Sequence, residues 1–339
     1  MKAAVFYGKE DLRILELDRP KAGAGEVVLK VQACGICGTD MHIFDGDEGA
    51  APTPARTVLG HEFAGEVVEI GEGVSSVKAG DRVAVDPNKL CGSCDFCRGG
   101  IGHFCESMIG IGTTVNGGFA EYCVVPESQA YRFDPSLSYE MAAMTEPLAC
   151  CLHGIDLCEI KPGQTVAVIG GGMIGLLMLQ LAKISGAAKL ILIEPIASKR
   201  EAALRLGADV VIDPMAEDVK EKLASLGIAQ IDCVIECVGK TATVMQAIAI
   251  AGKYSTVMMF GLTRPNDEIS LKPFEIFKKE ITLKASFINP YTQSRALRLI
   301  ESGRIDVSSM IVERASVSEL PAILADKRRR TSGKILITF

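Results

Sequence analysis

Four cysteines fall within 15 residues in Cys91-Gly-Ser-Cys94-Asp-Phe-Cys97-Arg-Gly-Gly-Ile-Gly-His-Phe-Cys105, a C-x2-C-x2-C-x7-C spacing. Four thiolates on one glycine-rich loop close a tetrahedral shell around Zn2+ and leave no position open, which makes a structural staple rather than a reactive centre. An iron–sulfur cluster would use the same ligand type, but it fits the rest of the chain poorly. His103 lies inside this loop and reads as a loop residue, because four thiolates already suffice. A second set is Cys37-Gly-Thr39-Asp40-Met-His42, followed by Gly60-His61-Glu62. One thiolate, one imidazole and one carboxylate can hold zinc and still leave room for water or a substrate oxygen, as a catalytic site requires.

A third motif is Gly170-Gly-Gly172-Met173-Ile174-Gly175, a G-x-G-x-x-G run directly after the apolar stretch Val166–Ile169. Gly170 permits a tight turn, Gly172 lets the backbone approach a pyrophosphate, and Gly175 allows close helix–strand packing. Met173 and Ile174 open the helix, whose unpaired N–H groups and dipole favour a phosphate. The next apolar strand, from Lys189, ends in Glu194, 19 residues after Gly175. A carboxylate there accepts hydrogen bonds from the adenosine ribose and repels a 2′-phosphate, which favours NAD over NADP. Lys199 and Arg200 follow closely and pull the other way, toward a phosphate.

These motifs need elements to position them. At 339 residues the chain is about two domains long, taking roughly 150 residues per domain. Residues 1 to about 150 are strand-like and glycine-punctuated, as in Val27–Gln32, Glu66–Ile70 and Arg82–Val85, so they predict a β-rich, barrel-like domain. From Thr165 onward, apolar β-branched strands alternate with amphipathic helices, the pattern of a parallel sheet covered on both faces. That pattern ends near residue 285, and the final ILITF strand is placed to return to the first domain. The remaining cysteines divide into Cys150, Cys151, Cys158, Cys233 and Cys237, which sit in apolar stretches and read as buried filler, and Cys34 and Cys123, which carry no functional expectation.

Charge and hydropathy exclude several classes of function. Lys and Arg number 36 against 42 Asp and Glu, a net charge of −6, which disfavours nucleic acid and anionic lipid as partners. The basic run Lys327–Arg330 reads as a solvated helix end. The opening MKAAVFYGKEDLRILEL reads as a strand pair with no apolar signal core. No stretch reaches the ~18 uninterrupted apolar residues of a spanning helix. A cytoplasmic, reducing setting is therefore expected, with cysteines serving metals before disulfides.

Taken together, CGICGTDMH (34–42), GHEFAGEV (60–67), the four-cysteine loop and VIGGGMIG (168–175) resemble the zinc-containing medium-chain dehydrogenase/reductase family over essentially the whole chain. The resemblance implies an α/β protein. Residues 1–150 would form a GroES-like catalytic domain to which 286–339 return, and 151–285 a Rossmann domain with a doubly wound parallel sheet. It further implies two Zn2+ per chain, NAD as cofactor, and a homodimer or homotetramer. Cys37 and His61 then look like ligands of the catalytic zinc, and Glu62 like a third ligand or one that exchanges with water. Thr39 occupies the position that touches the substrate hydroxyl, His42 that of a relay passing its proton to solvent, and Asp40 resembles a carboxylate supporting a ligand.

Thr145-Glu146-Pro147-Leu148 points to one branch. Alcohol dehydrogenases of the classical kind have a zinc-ligating cysteine here, whereas polyol, threonine and butanediol dehydrogenases resemble this chain in having Glu. Glu146 would bind zinc directly or hold its water. His153, a little further on, reads as packed near the domain junction. The expected reaction interconverts a secondary alcohol of a polyol or sugar-derived substrate with its ketone, with L-threonine 3-dehydrogenase and 2,3-butanediol dehydrogenase as alternatives. A noncatalytic NAD-binding scaffold is a remoter one. Sorbitol dehydrogenases grip their substrate with an Arg–aromatic pair, and the comparable Ser286–Tyr291 has no arginine. Asn289 is the residue there that could hydrogen-bond a substrate hydroxyl.

Overall fold

A computed structural model describes residues 1–47, 52–326, 328–329 and 333–339. Lys327 and Arg330, the ends of the basic run, lie outside the described residues. The chain forms two compact units, one of Met1–Ala149 with Asn289–Phe339 and the other of Cys150–Ile288. The boundary between them falls inside the helix Thr145–Cys158.

In the first unit the opening segment forms the expected pair, Lys2–Gly8 antiparallel to Asp11–Glu16. The larger sheet runs in the order Ala130–Arg132, Arg82–Val85, Glu62–Ile70, Glu26–Gly35, Lys334–Thr338, Ile311–Ser316, and Tyr122–Pro126 also pairs with Glu26–Gly35. Alternating side chains such as Val27, Leu29, Val31, Phe63, Val67, Ile335 and Ile337 fill its core. Two strands are longer than sequence patterning indicates. Glu26–Gly35 runs through Cys34-Gly35, and its partner begins at Glu62. Cys34 pairs with Phe63 and Gly35 with Glu62. The C-terminal strand lies on the other side, with Leu336 opposite Gly35.

The second unit is a six-stranded, all-parallel sheet in the order Val210–Ile212, Lys189–Ile193, Thr165–Ile169, Cys233–Glu236, Thr256–Met259, Thr282–Ala285. The inner strands Lys189–Ile193, Thr165–Ile169 and Cys233–Glu236 read as near-continuous apolar runs because they are buried on both faces. Ala167, Ile169, Ile191, Ile193, Val234 and Val257 form the buried layer. Chain order reverses between Thr165–Ile169 and Cys233–Glu236, and this is the switch point at which such sheets bind ligands. The most apolar window of the sequence is the first of these strands and the helix Met173–Ile184. Among the described residues, no helix is long and apolar enough to cross a membrane.

Candidate zinc centres and dinucleotide site

Sheet register brings the residues of the candidate open metal site together. Cys37 follows the end of the strand Glu26–Gly35, and it is the N-cap of a short helix, Gly38–Asp45, in a stretch where sequence periodicity shows no helix. The helix forms because Asp40 reaches back: its Oδ2 accepts a hydrogen bond of 2.8 Å from the Cys37 N–H, as in a capping box. Gly46, in the left-handed conformation at φ 88°, ends it. His61 and Glu62 begin the neighbouring strand, so pairing of Gly35 with Glu62 brings the two segments together. A Cβ on Gly35 would come within 2.3 Å of Glu62 Oε2, so a larger residue there would push the Glu62 carboxylate aside.

Cys37, His61 and Glu62 each place a ligand atom within 4.8 Å of the others. His61 and Glu62 are buried, and Cys37 is half-buried. Asp40 Oδ1 stands 3.5 Å from His61 Nδ1, which leaves Nε2 as the ring nitrogen for a metal. Burial works against a charged His61 ring, yet the Asp40 carboxylate and the Cys37 thiol hold its pKa well above the ordinary histidine value. Such anionic surroundings equally favour a bound dication. Glu62 Oε1 is buried without a hydrogen-bond partner, an expensive arrangement unless something else satisfies it. The donor set and this orphaned oxygen fit a zinc ion.

Thr39 Oγ1 lies 3.8 Å from Cys37 Sγ. His42 is half-buried in the last turn of the same helix, with its Nδ1 3.2 Å from Asp47 Oδ2. Glu146 is buried in the first turn of Thr145–Cys158.

The closed site gathers as its spacing predicts. Cys91, Cys94, Cys97 and Cys105 also place their sulfurs within 4.8 Å of one another. Backbone N–H groups point at them: Ser93 and Cys94 donate to Cys91 Sγ at 3.4 and 3.3 Å, and Cys91 donates to Cys105 Sγ at 3.3 Å. Hydrogen bonds from the Ser93 N–H and hydroxyl and the Cys94 N–H hold the Cys91 thiol below its ordinary value, while burial and the neighbouring thiols push Cys97 up. His103 sits in the turn Gly102–Phe104, its ring 4.3 Å from that of Phe104.

In the second unit the glycine loop leaves the central strand at the switch point. A Cβ on Gly175 would lie 1.8 Å from the Gly170 carbonyl oxygen, so the helix packs as tightly as the motif requires. At Gly172 a Cβ would meet nothing within 4 Å, so the backbone is open to an approaching group. Met173 and Ile174 open the helix, both half-buried. These features fit a dinucleotide pyrophosphate. Glu194 directly follows its strand and is buried, with Oε2 accepting from the Gly171 N–H at 2.6 Å and Oε1 from the Ile196 N–H at 2.9 Å. Lys199 is half-buried in the first turn of Ala197–Leu206.

Residues 23–135 match the model of the alcohol dehydrogenase GroES-like domain, and residues 173–302 that of the zinc-binding dehydrogenase. D-arabinitol dehydrogenase 1 of Uromyces fabae is 34% identical over 98% of this chain and 96% of its own. The chain belongs to the zinc-binding alcohol dehydrogenase family. L-threonine 3-dehydrogenase of Caldanaerobacter subterraneus subsp. tengcongensis is 40% identical over 78% of this chain and 76% of its own. A zinc-binding dehydrogenase of Sinorhizobium meliloti 1021, solved bound to NADP, is 39% identical with a TM-score of 0.96, covering 100% of this chain and 99% of that one.

Two features of this dehydrogenase escape sequence reasoning. Lys334 is buried, donates to the Ile36 carbonyl at 2.9 Å and ion-pairs with Glu62 Oε2. Burial opposes its charge, but Glu62 holds its pKa above the ordinary lysine value. Nothing in the sequence marks this residue except its position just before a strand expected to return. Asn289 is corrected. It is only 2% exposed, and its amide is engaged by Asn88, Asp86 and Gln293. It anchors the returning chain beside the cysteine loop instead of facing a substrate hydroxyl.

Proposed function

We propose that the protein is a zinc-dependent, nicotinamide dinucleotide-linked oxidoreductase that interconverts a secondary alcohol of a polyol or vicinal diol with its ketone. We assign it as a cytoplasmic homo-oligomer. The observation that carries the chemistry is the convergence of Cys37, His61 and Glu62 within 4.8 Å around an orphaned carboxylate oxygen. Cys37 and His61 would hold the catalytic zinc, and Glu146 or Glu62 would complete its shell. The four loop cysteines would hold a second, structural zinc.

When bound, zinc would supply a Lewis acid that lowers the pKa of a substrate hydroxyl, and the nicotinamide would supply a hydride acceptor. This chain's residues do the remaining work. Asp40 fixes the His61 ring, Thr39 receives the substrate hydroxyl, and His42, half-exposed beside Asp47, passes its proton to solvent. Glu194 favours NAD(H), while Lys199 is the residue that would meet a 2′-phosphate.

A polyol substrate is supported by the D-arabinitol relative, which matches nearly the full length. The threonine dehydrogenase relative, with higher identity over less of the chain, supports L-threonine as the second reading. The test is zinc quantification together with NADH formation from pentitols, hexitols, 2,3-butanediol and threonine. The expected result is two zincs per chain and turnover of a polyol. Cys37→Ser should lose one zinc and all turnover while retaining NADH binding. One zinc in the wild type without turnover would replace the enzyme by a noncatalytic scaffold.

A further inference from the structure

The dinucleotide crevice has a second buried carboxylate, which the glycine motif does not account for. Glu236 ends the strand Cys233–Glu236 and is 0% exposed. Three donors converge on one of its oxygens: the Val238 N–H at 2.8 Å, the Gly239 N–H at 3.0 Å and the Thr243 hydroxyl at 2.8 Å. The other oxygen has no hydrogen-bond partner and faces Gly261, where a Cβ would approach it to 2.8 Å. Burying a carboxylate so incompletely satisfied is costly. An apolar residue would fill the same space more cheaply, so the feature is informative only through what it holds.

It holds the turn 237–239. That turn leans on the glycine loop, since a Cβ on Gly170 would meet Val238 Cγ2 at 2.8 Å. Its far side is closed by Leu262, whose carbonyl oxygen would lie 2.3 Å from a Cβ on Gly239. Val238 nevertheless stays 39% exposed, an apolar side chain kept at the mouth of the switch point. The geometry is two-sided. On one flank of the central strand Glu194 braces the loop through the Gly171 N–H, on the side where a dinucleotide places its adenosine. On the opposite flank Glu236 braces the turn that faces the other nucleotide half.

We propose that Glu236 is a positioning residue for the nicotinamide half of the dinucleotide. By gathering three donors on one oxygen, it holds Val238 beside Gly170 as an apolar wall of the crevice, without touching the cofactor itself. The proposal rests on the reading of this crevice as a dinucleotide site.

The test uses the zinc-loaded full chain, with NADH binding followed by fluorescence and AMP binding by calorimetry. Glu236→Ala should weaken NADH at least tenfold, with AMP affinity held within twofold. Glu236→Gln, which keeps an acceptor oxygen, should bind NADH as the wild type does. Thr243→Val should weaken NADH less than Glu236→Ala but in the same direction, and it carries the comparison if the alanine variant does not fold. Equal losses for NADH and AMP would show general damage and overturn the proposal. So would unchanged NADH affinity in both Glu236→Ala and Thr243→Val, or a glutamine variant as weak as alanine. A wild type that binds AMP but neither NADH nor NADPH would overturn the dinucleotide reading itself, and this proposal with it.

Discussion

Asp86 should make the protein less stable at neutral pH than a neutral residue would. It is buried, and burial pushes its carboxyl from the ordinary 3.8 up to about 6, although the Asn88 N–H at 3.0 Å and Asn289 Nδ2 at 3.4 Å pull the other way. Tyr131 is the titratable neighbour that feels it, its own pKa raised by burial and by the Asp86 charge. Because the folded-state value lies above the unfolded one, the contribution of this group is fully present below pH 3.8 and is lost as pH rises through about 6. The difference is roughly two pKa units, so about 3 kcal/mol of stability is forfeited by pH 7.5. Asp86→Asn keeps the shape and the acceptor oxygen but cannot ionise. The variant should therefore be more stable than the wild type at pH 7.5, by up to ~3 kcal/mol or roughly 6 °C in Tm. Unfolding of both proteins at steps from pH 5 to 8 tests this, because subtracting one curve from the other cancels every other titrating group. The advantage should shrink as pH falls through about 6. A difference that is flat with pH, or one favouring the wild type at pH 7.5, would refute the reasoning.

Two further expectations concern the candidate metal sites. Cys94→Ser should cost one zinc per chain and several degrees of Tm before it alters chemistry, because a closed zinc shell contributes folding free energy. Zinc content and thermal unfolding measure it, and two retained zincs would count against the quartet as a ligand set. Lys334→Met strands the Glu62 carboxylate in the core and should destabilise the zinc-free protein by about 3–5 kcal/mol. The double variant Lys334→Met/Glu62→Gln should recover most of that loss in denaturant unfolding, and a double variant no better than the single one would deny the pairing.

Features whose parts are neighbours in the chain are legible in the sequence. The four cysteines span one loop, so their spacing alone predicts that the sulfurs gather, and they lie within 4.8 Å of one another. The glycine loop is legible for the same reason: a turn, a close approach and a helix start are decided by residues a few positions apart. The alternation of apolar strands with helices likewise announces the parallel sheet, because strands covered on both faces lose their polar positions.

Tertiary structure alone decides whatever depends on register and on distance along the chain. Cys37, His61 and Glu62 become one site because Gly35 pairs with Glu62, and a shift of one residue would turn their side chains to opposite faces. Lys334 reaches Glu62 across 272 positions, and only the antiparallel return of the last strand makes that contact. Asn289 shows the converse. A polar residue in a suggestive stretch could face a substrate or another amide, and the positions of Asp86, Asn88 and Gln293 settle it as the latter. Residue types state which chemistry is available. Which groups are desolvated together, and so shift one another's charge, is a property of packing that no local pattern carries.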